Sequence, residues 1–82
     1  MQYLILCRSL TYAQRAASEL ARRGISASVV KAPQRLRERG CGYALSLSRH
    51  FSEAVEILKA QDLLTGRLYA REDGGDYTEV LL

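Results

Sequence analysis

The sequence predicts an α+β fold: a ferredoxin-like β-α-β-β-α-β sandwich with two helices on one face of an antiparallel sheet. An extra C-terminal hairpin strand follows it. Three observations carry this. Apolar or alternating stretches of strand length recur at residues 2–7, 25–29, 43–47 and 67–71. Amphipathic helical stretches separate the first from the second and the third from the fourth. The link at 48–51 is short, and right-handed crossovers then favour the strand order 4-1-3-2.

The elements follow in order. Residues 2–7 (QYLILC) form an apolar run expected to be buried on both faces. Thr11 followed by Gln14 fits a capping box, in which hydroxyl and amide satisfy backbone N–H groups at a helix start. Ala13, Ala16, Ala17, Leu20 and Ala21 then line one helical face, against Gln14, Arg15, Ser18, Glu19 and Arg22. Gly24 is expected to end that helix in the left-handed conformation. Ile25, Ala27 and Val29 alternate with Ser26 and Ser28, the pattern of a half-buried strand that Pro33 closes. Residues 34–40 read as a loop with room for one helical turn. Tyr43, Leu45 and Leu47 define the third strand, and a second helix runs over about 52–61, with Phe51, Ala54, Val55 and Leu58 on its apolar side. Residues 67–71 and 77–82 make a hairpin around Asp73-Gly74-Gly75-Asp76.

Eighty-two residues suit one domain, 1–82, and no internal repeat or linker divides them. The chain is 48% hydrophobic and 26% charged, with a formal charge of +3, an ordinary globular balance. The charge is unevenly placed. Lys31, Arg35, Arg37 and Arg39 stand against Glu38 alone, whereas residues 72–79 hold four acids and no cation. The basic stretch is either a solvated loop or a site for an anion or an acidic partner. No segment is long enough to span a bilayer, and the apolar start is too short for a signal peptide. Leu6 also occupies the place where a lipoprotein box needs a small residue. A cytoplasmic location is expected, where thiols stay reduced.

Two cysteines make neither a disulfide framework nor a zinc pattern. Cys41 stands in Arg39-Gly40-Cys41-Gly42. Glycines on both sides permit unusual turns and leave a sulfur uncrowded, and neighbouring guanidinium groups favour the thiolate. The competing reading is a small buried residue at a strand entry. In the expected topology Cys7, at the end of the first strand, meets Cys41 at one end of the sheet beside the first helix N-terminus. Cys7 is read first as a core residue and second as a resolving thiol for Cys41. His50, the only histidine, belongs at the opposite end in a capping or surface role, so a Cys-His catalytic pair is missing. No residue pattern calls for a metal or another cofactor, and the 73–76 turn lacks the remaining ligands of a calcium loop.

Over nearly its whole length the chain resembles the selenium/sulfur carrier-like proteins, a family of small bacterial domains. The resemblance rests on Tyr3-Leu4-Ile5-Leu6-Cys7-Arg8-Ser9, the alanine-rich stretch at 13–23 leading to Gly24-Ile25, and Pro33 with Arg35 soon after. Cys41-Gly42 before Tyr43-Ala44-Leu45, a helix through 54–59, and Gly66-Arg67-Leu68-Tyr69 complete it. The chain departs in having Gln34 after Pro33, a loop one residue longer, and Arg37-Glu38-Arg39 where serines are frequent.

The resemblance implies that Cys41 bears the chalcogen, held as a persulfide or selenosulfide and passed on by thiol exchange. The expected role is a carrier rather than an enzyme, with sulfur or selenium donor and acceptor proteins as partners. Arg35, Arg37 and Arg39 would hold the anion and dock an acidic surface, while Pro33, Gly40 and Gly42 shape the loop. Two other classes remain open. A regulatory or nucleic-acid-binding module would use the same basic loop, although the sheet lacks the aromatic motif of RNA-reading sheets. A homodimer would use the open sheet face, with Tyr3, Ile5 and Tyr69 as its apolar patch.

Overall fold

The computed structural model describes residues 1–37 and 42–81. Its elements are β1 (Gln2–Cys7), α1 (Leu10–Arg22), β2 (Ser28–Lys31), a 3₁₀ turn (Gln34–Leu36), β3 (Tyr43–Leu47), α2 (Phe51–Ala60), β4 (Leu68–Arg71) and β5 (Thr78–Val80). The strands form one sheet in the order β2-β3-β1-β4-β5, and every neighbouring pair is antiparallel. This is the expected α+β arrangement with a fifth strand added beside β4.

Both helices pack on one face. Ile5 and Cys7 of β1 and Leu45 and Leu47 of β3 meet Ala13, Ala16 and Leu20 of α1 and Ala54, Val55 and Leu58 of α2. Tyr3 lies on the same side, stacked on Phe51 with ring centroids 4.2 Å apart and planes 8° from parallel. Side chains alternate along a strand, so Leu4 and Leu6 point the other way. There they join Ala32, Ala44 and Tyr69 in a second cluster, against which Val30, Leu36 and Tyr77 pack. The apolar patch expected from Tyr3, Ile5 and Tyr69 therefore does not exist. Leu4 is the register partner of Tyr69, which puts Tyr3 and Ile5 on the opposite face from it.

Two boundaries differ from expectation for local reasons. The α1 cap is Ser9, not Thr11: Ser9 is extended (φ −161°) and its Oγ accepts from the Tyr12 N–H at 3.3 Å. The chain needs only Arg8 and Ser9 to leave the sheet, so Thr11 already lies in the first turn. At the far end, Gly24 has φ +80° and its N–H donates to Ala21 O, while Ile25 N–H donates to Leu20 O at 2.9 Å. That is a Schellman cap with its apolar contact, since Ile25 and Leu20 are both buried. Ile25 is thus committed to the helix end, and ladder pairing of β2 waits until Ser28. The expected alternation still holds, because Ile25, Ala27 and Val29 all face the helices.

Candidate functional site

The candidate site is the sheet end where β1 finishes and β3 begins. Cys7 pairs with Tyr43, and Tyr43 pairs with Lys31 on its other side. One step further out, Ala32 N–H donates to Gly42 O at 2.9 Å, continuing the β2–β3 ladder past its last strand residue. On the other side Arg8 N–H donates to Thr65 Oγ1 at 3.0 Å, and Leu6 N–H donates to Arg67 O at 2.9 Å. The N-terminus of α1 opens at this same end, just past Ser9.

Gly66 has a steric reason to be glycine. A Cβ there would collide with the Leu6 carbonyl, so the segment entering β4 can lie against β1 only without a side chain. Sequence reasoning gave Gly66 no role of its own, because close approach of two backbones leaves no local pattern.

The candidate residues fall in different places. Cys7 is 1% exposed and faces the helix-side core, with Sγ 3.5 Å from Ile5 O. Pro33 precedes the 3₁₀ turn, and Leu36 N–H donates back to Pro33 O at 2.9 Å. Arg37 donates from Nε to Ala32 O at 3.0 Å. Ala32 therefore anchors both flanks of the intervening segment, Arg37 through its carbonyl and Gly42 through its N–H. Arg35 turns away from this end and pairs with Asp76, Nη2 to Oδ1 at 2.7 Å. Gly42 has open space where a Cβ would sit. Gly40, Cys41 and Arg39, with Glu38, lie outside the described residues.

Arg8, Lys31 and Arg37 are exposed at this end of the sheet. The Arg8 guanidinium lies 5.4 Å from the centre of the Tyr12 ring, which holds it over the first turn of α1. Residue sequence alone grouped Lys31 with the arginines of the loop. It did not count Arg8 among them, although the pairing of β1 with β3 brings Arg8 to the same end.

His50 sits at the opposite end, before α2, with φ 58° and no side-chain cap. Its Nδ1 is 3.3 Å from Glu53 Oε1 on the surface. It borders an open polar cleft together with Gln2, Ser26, Ser28, Ser46, Ser48 and Arg49. No helix among the described residues is long and apolar enough to cross a membrane.

Residues 2–70 match the family described as "Putative Se/S carrier protein-like". The chain belongs to this family. No curated protein and no solved structure matches it. The span shared with the Se/S carrier-like family runs from β1 to Ala70 of β4 and includes the Cys41-Gly42 pair. It stops before the turn and strand that complete the C-terminal hairpin.

Proposed function

We propose that the protein carries sulfur or selenium on Cys41 and delivers it by thiol exchange. Family membership over a span that contains Cys41 supports the reading most. In the loading step the Cys41 thiolate attacks the outer sulfur of a donor persulfide, R–S–SH. A Cys41 Sγ–S bond forms, the donor S–S bond breaks, and the donor leaves as R–S⁻, so no external oxidant is required. An acceptor thiolate repeats the exchange in reverse. A selenosulfide forms in the same way from a donor that carries selenium.

The placement of charge favours that step. Arg8, Lys31 and Arg37 are exposed at the sheet end that Gly42 enters, and Arg39 is next but one to Cys41 in sequence. Cations near the sulfur stabilise both the attacking thiolate and the terminal persulfide anion. They also suit an acidic surface on the donor or acceptor protein. Arg35 has a weaker claim on the anion, because Asp76 already neutralises it.

A carrier without turnover of its own fits the position of His50, which is too far along the sheet to act as a base for a thiol at this end. Cys7, buried beneath the helices, would serve as a resolving thiol only through an opening of the β1–β3 end. A reducing compartment such as the cytoplasm suits the chemistry. The test is a reversible mass gain on Cys41 after exposure to a persulfide donor, R–S–SH, or its selenium counterpart, R–S–SeH.

A further inference from the structure

We infer that the C-terminal hairpin acts as a clasp: Asp76 and Tyr77 hold residues 33–37 across the second face of the sheet and so position the segment that leads to Cys41. The inference rests on the carrier reading for its purpose and on the geometry below for its existence.

The two partners begin at opposite ends of the sheet. β2 finishes beside Tyr43 and Cys7, at the candidate site. Asp76 follows β4, whose last residue Arg71 pairs with Gln2 at the far end of β1. Arg35 lies only four residues beyond Lys31, yet its guanidinium reaches the Asp76 carboxylate at 2.7 Å. The chain must therefore fold back over the face that carries no helix, instead of projecting off the end of the sheet.

Apolar contacts agree with this path. Leu4, Leu6 and Ala44 are 2%, 1% and 0% exposed although both helices are on the other side. Among the described residues, Leu36 of the 3₁₀ turn and Tyr77 of the hairpin pack against that cluster from outside the strands that form it. Tyr77 is itself fixed beneath the Arg71 guanidinium, 4.9 Å from the ring centre. Leu36 supplies adhesion, and the Arg35–Asp76 pair selects where the strap lies. An exposed pair of this kind contributes modestly to global stability, so its role is placement. The family match ends at residue 70, so both clasp residues come from beyond the matched span.

The strap is connected to the site. Arg37 ends it, bonded to Ala32 O, and the next described residue is Gly42, bonded to Ala32 N–H. Arg37, at the end of the strap, stands four peptide units before Cys41 in the sequence.

The experiment compares wild type, Asp76→Asn and the swap Arg35→Asp/Asp76→Arg in the full chain, with two readouts that need no chalcogen. The first is amide exchange of Leu36 and Arg37, whose N–H groups close the 3₁₀ turn on Pro33 O and Gln34 O. The second is the rate of Cys41 alkylation by neutral iodoacetamide, at a pH where the thiol is fully ionised, read on the tryptic peptide that contains Cys41. Asp76→Asn is expected to raise both rates about two- to five-fold, with β1 amides unchanged and the swap restoring both, as an exposed ion pair allows. Unchanged Leu36 and Arg37 exchange in Asp76→Asn overturns the clasp. Faster exchange with unaltered alkylation overturns its link to Cys41. Failure of wild type to load chalcogen would sink the carrier reading instead, and would leave these two rates as they are.

Discussion

Cys7 and Tyr43 are register partners across the β1–β3 ladder, with the Cys7 thiol buried, and Tyr43 follows Cys41 by two residues in the sequence. Mild peroxide should oxidise the Cys41 thiol to a sulfenic acid, which condenses with the Cys7 thiol and releases water. An intramolecular Cys7–Cys41 disulfide is therefore expected, forming more slowly than the sulfenic acid because Cys7 must first be uncovered. Mass spectrometry of the non-reduced tryptic digest checks it. Peptides that never cross-link would return Cys7 to packing alone, a separation beyond about 7 Å between Cα atoms being the usual reason.

The cap assignment makes a sharp pair of predictions. Ser9→Ala should destabilise the fold by about 0.5–2 kcal/mol, because the Tyr12 N–H loses its acceptor. Thr11→Ala, on the exposed side of the first turn, should stay within about 0.5 kcal/mol. Urea titrations of the two variants distinguish them, and a larger loss for Thr11→Ala would restore the sequence-based cap.

Two glycines near the site should respond in opposite ways. Gly66→Ala must push the Leu6 backbone aside, and overpacking of this kind costs about 1–3 kcal/mol. Gly42→Ala meets open space, so it should leave the urea midpoint within about 0.5 kcal/mol of wild type. Equal losses at both positions would mean that Leu6 and Gly66 can separate without penalty.

If Arg8, Lys31, Arg37 and Arg39 act on the sulfur, Cys41 should ionise more readily than a free thiol. Its alkylation rate against pH should then show a midpoint below the ordinary value of about 8.5. The sign follows from the charges: cations favour the thiolate, so reactivity appears at lower pH. Raising the salt concentration should move the midpoint back towards that value. A midpoint at or above it in low salt would remove the electrostatic support for loading.

Much of the fold was legible because it depends on period. The run at 2–7, the alternation around Leu45 and the apolar faces of both helices each fix a buried side without reference to distant residues. Ile25 shows where that ends: its burial was foreseen, but its hydrogen bond to Leu20 belongs to a helix cap, and only the path of the backbone decides between cap and ladder. Face assignment for Tyr3, Ile5 and Tyr69 required the register between strands, which one-residue parity can reverse.

At the site, the sequence pointed to a basic loop and, separately, to an acidic turn. It could not show that Arg35 and Asp76, 41 residues apart, neutralise each other across the sheet. Leu36 was hidden for a related reason: a single leucine among charged residues carries no period, yet it closes the second face. Ala32 and Gly66 matter through backbone contacts, which residue identity records only weakly.

The central claim is tested most directly by intact mass after incubation with a small persulfide donor, with and without reductant, in wild type, Cys41→Ser and Cys7→Ser. Wild type should gain the mass of one sulfur and lose it on reduction. Cys7→Ser should still load, at some cost in stability from a buried hydroxyl. Cys41→Ser should not load at all. A Cys41→Ser protein that gains and releases the same sulfur, or a wild type that never gains it from any persulfide donor, would contradict the carrier account.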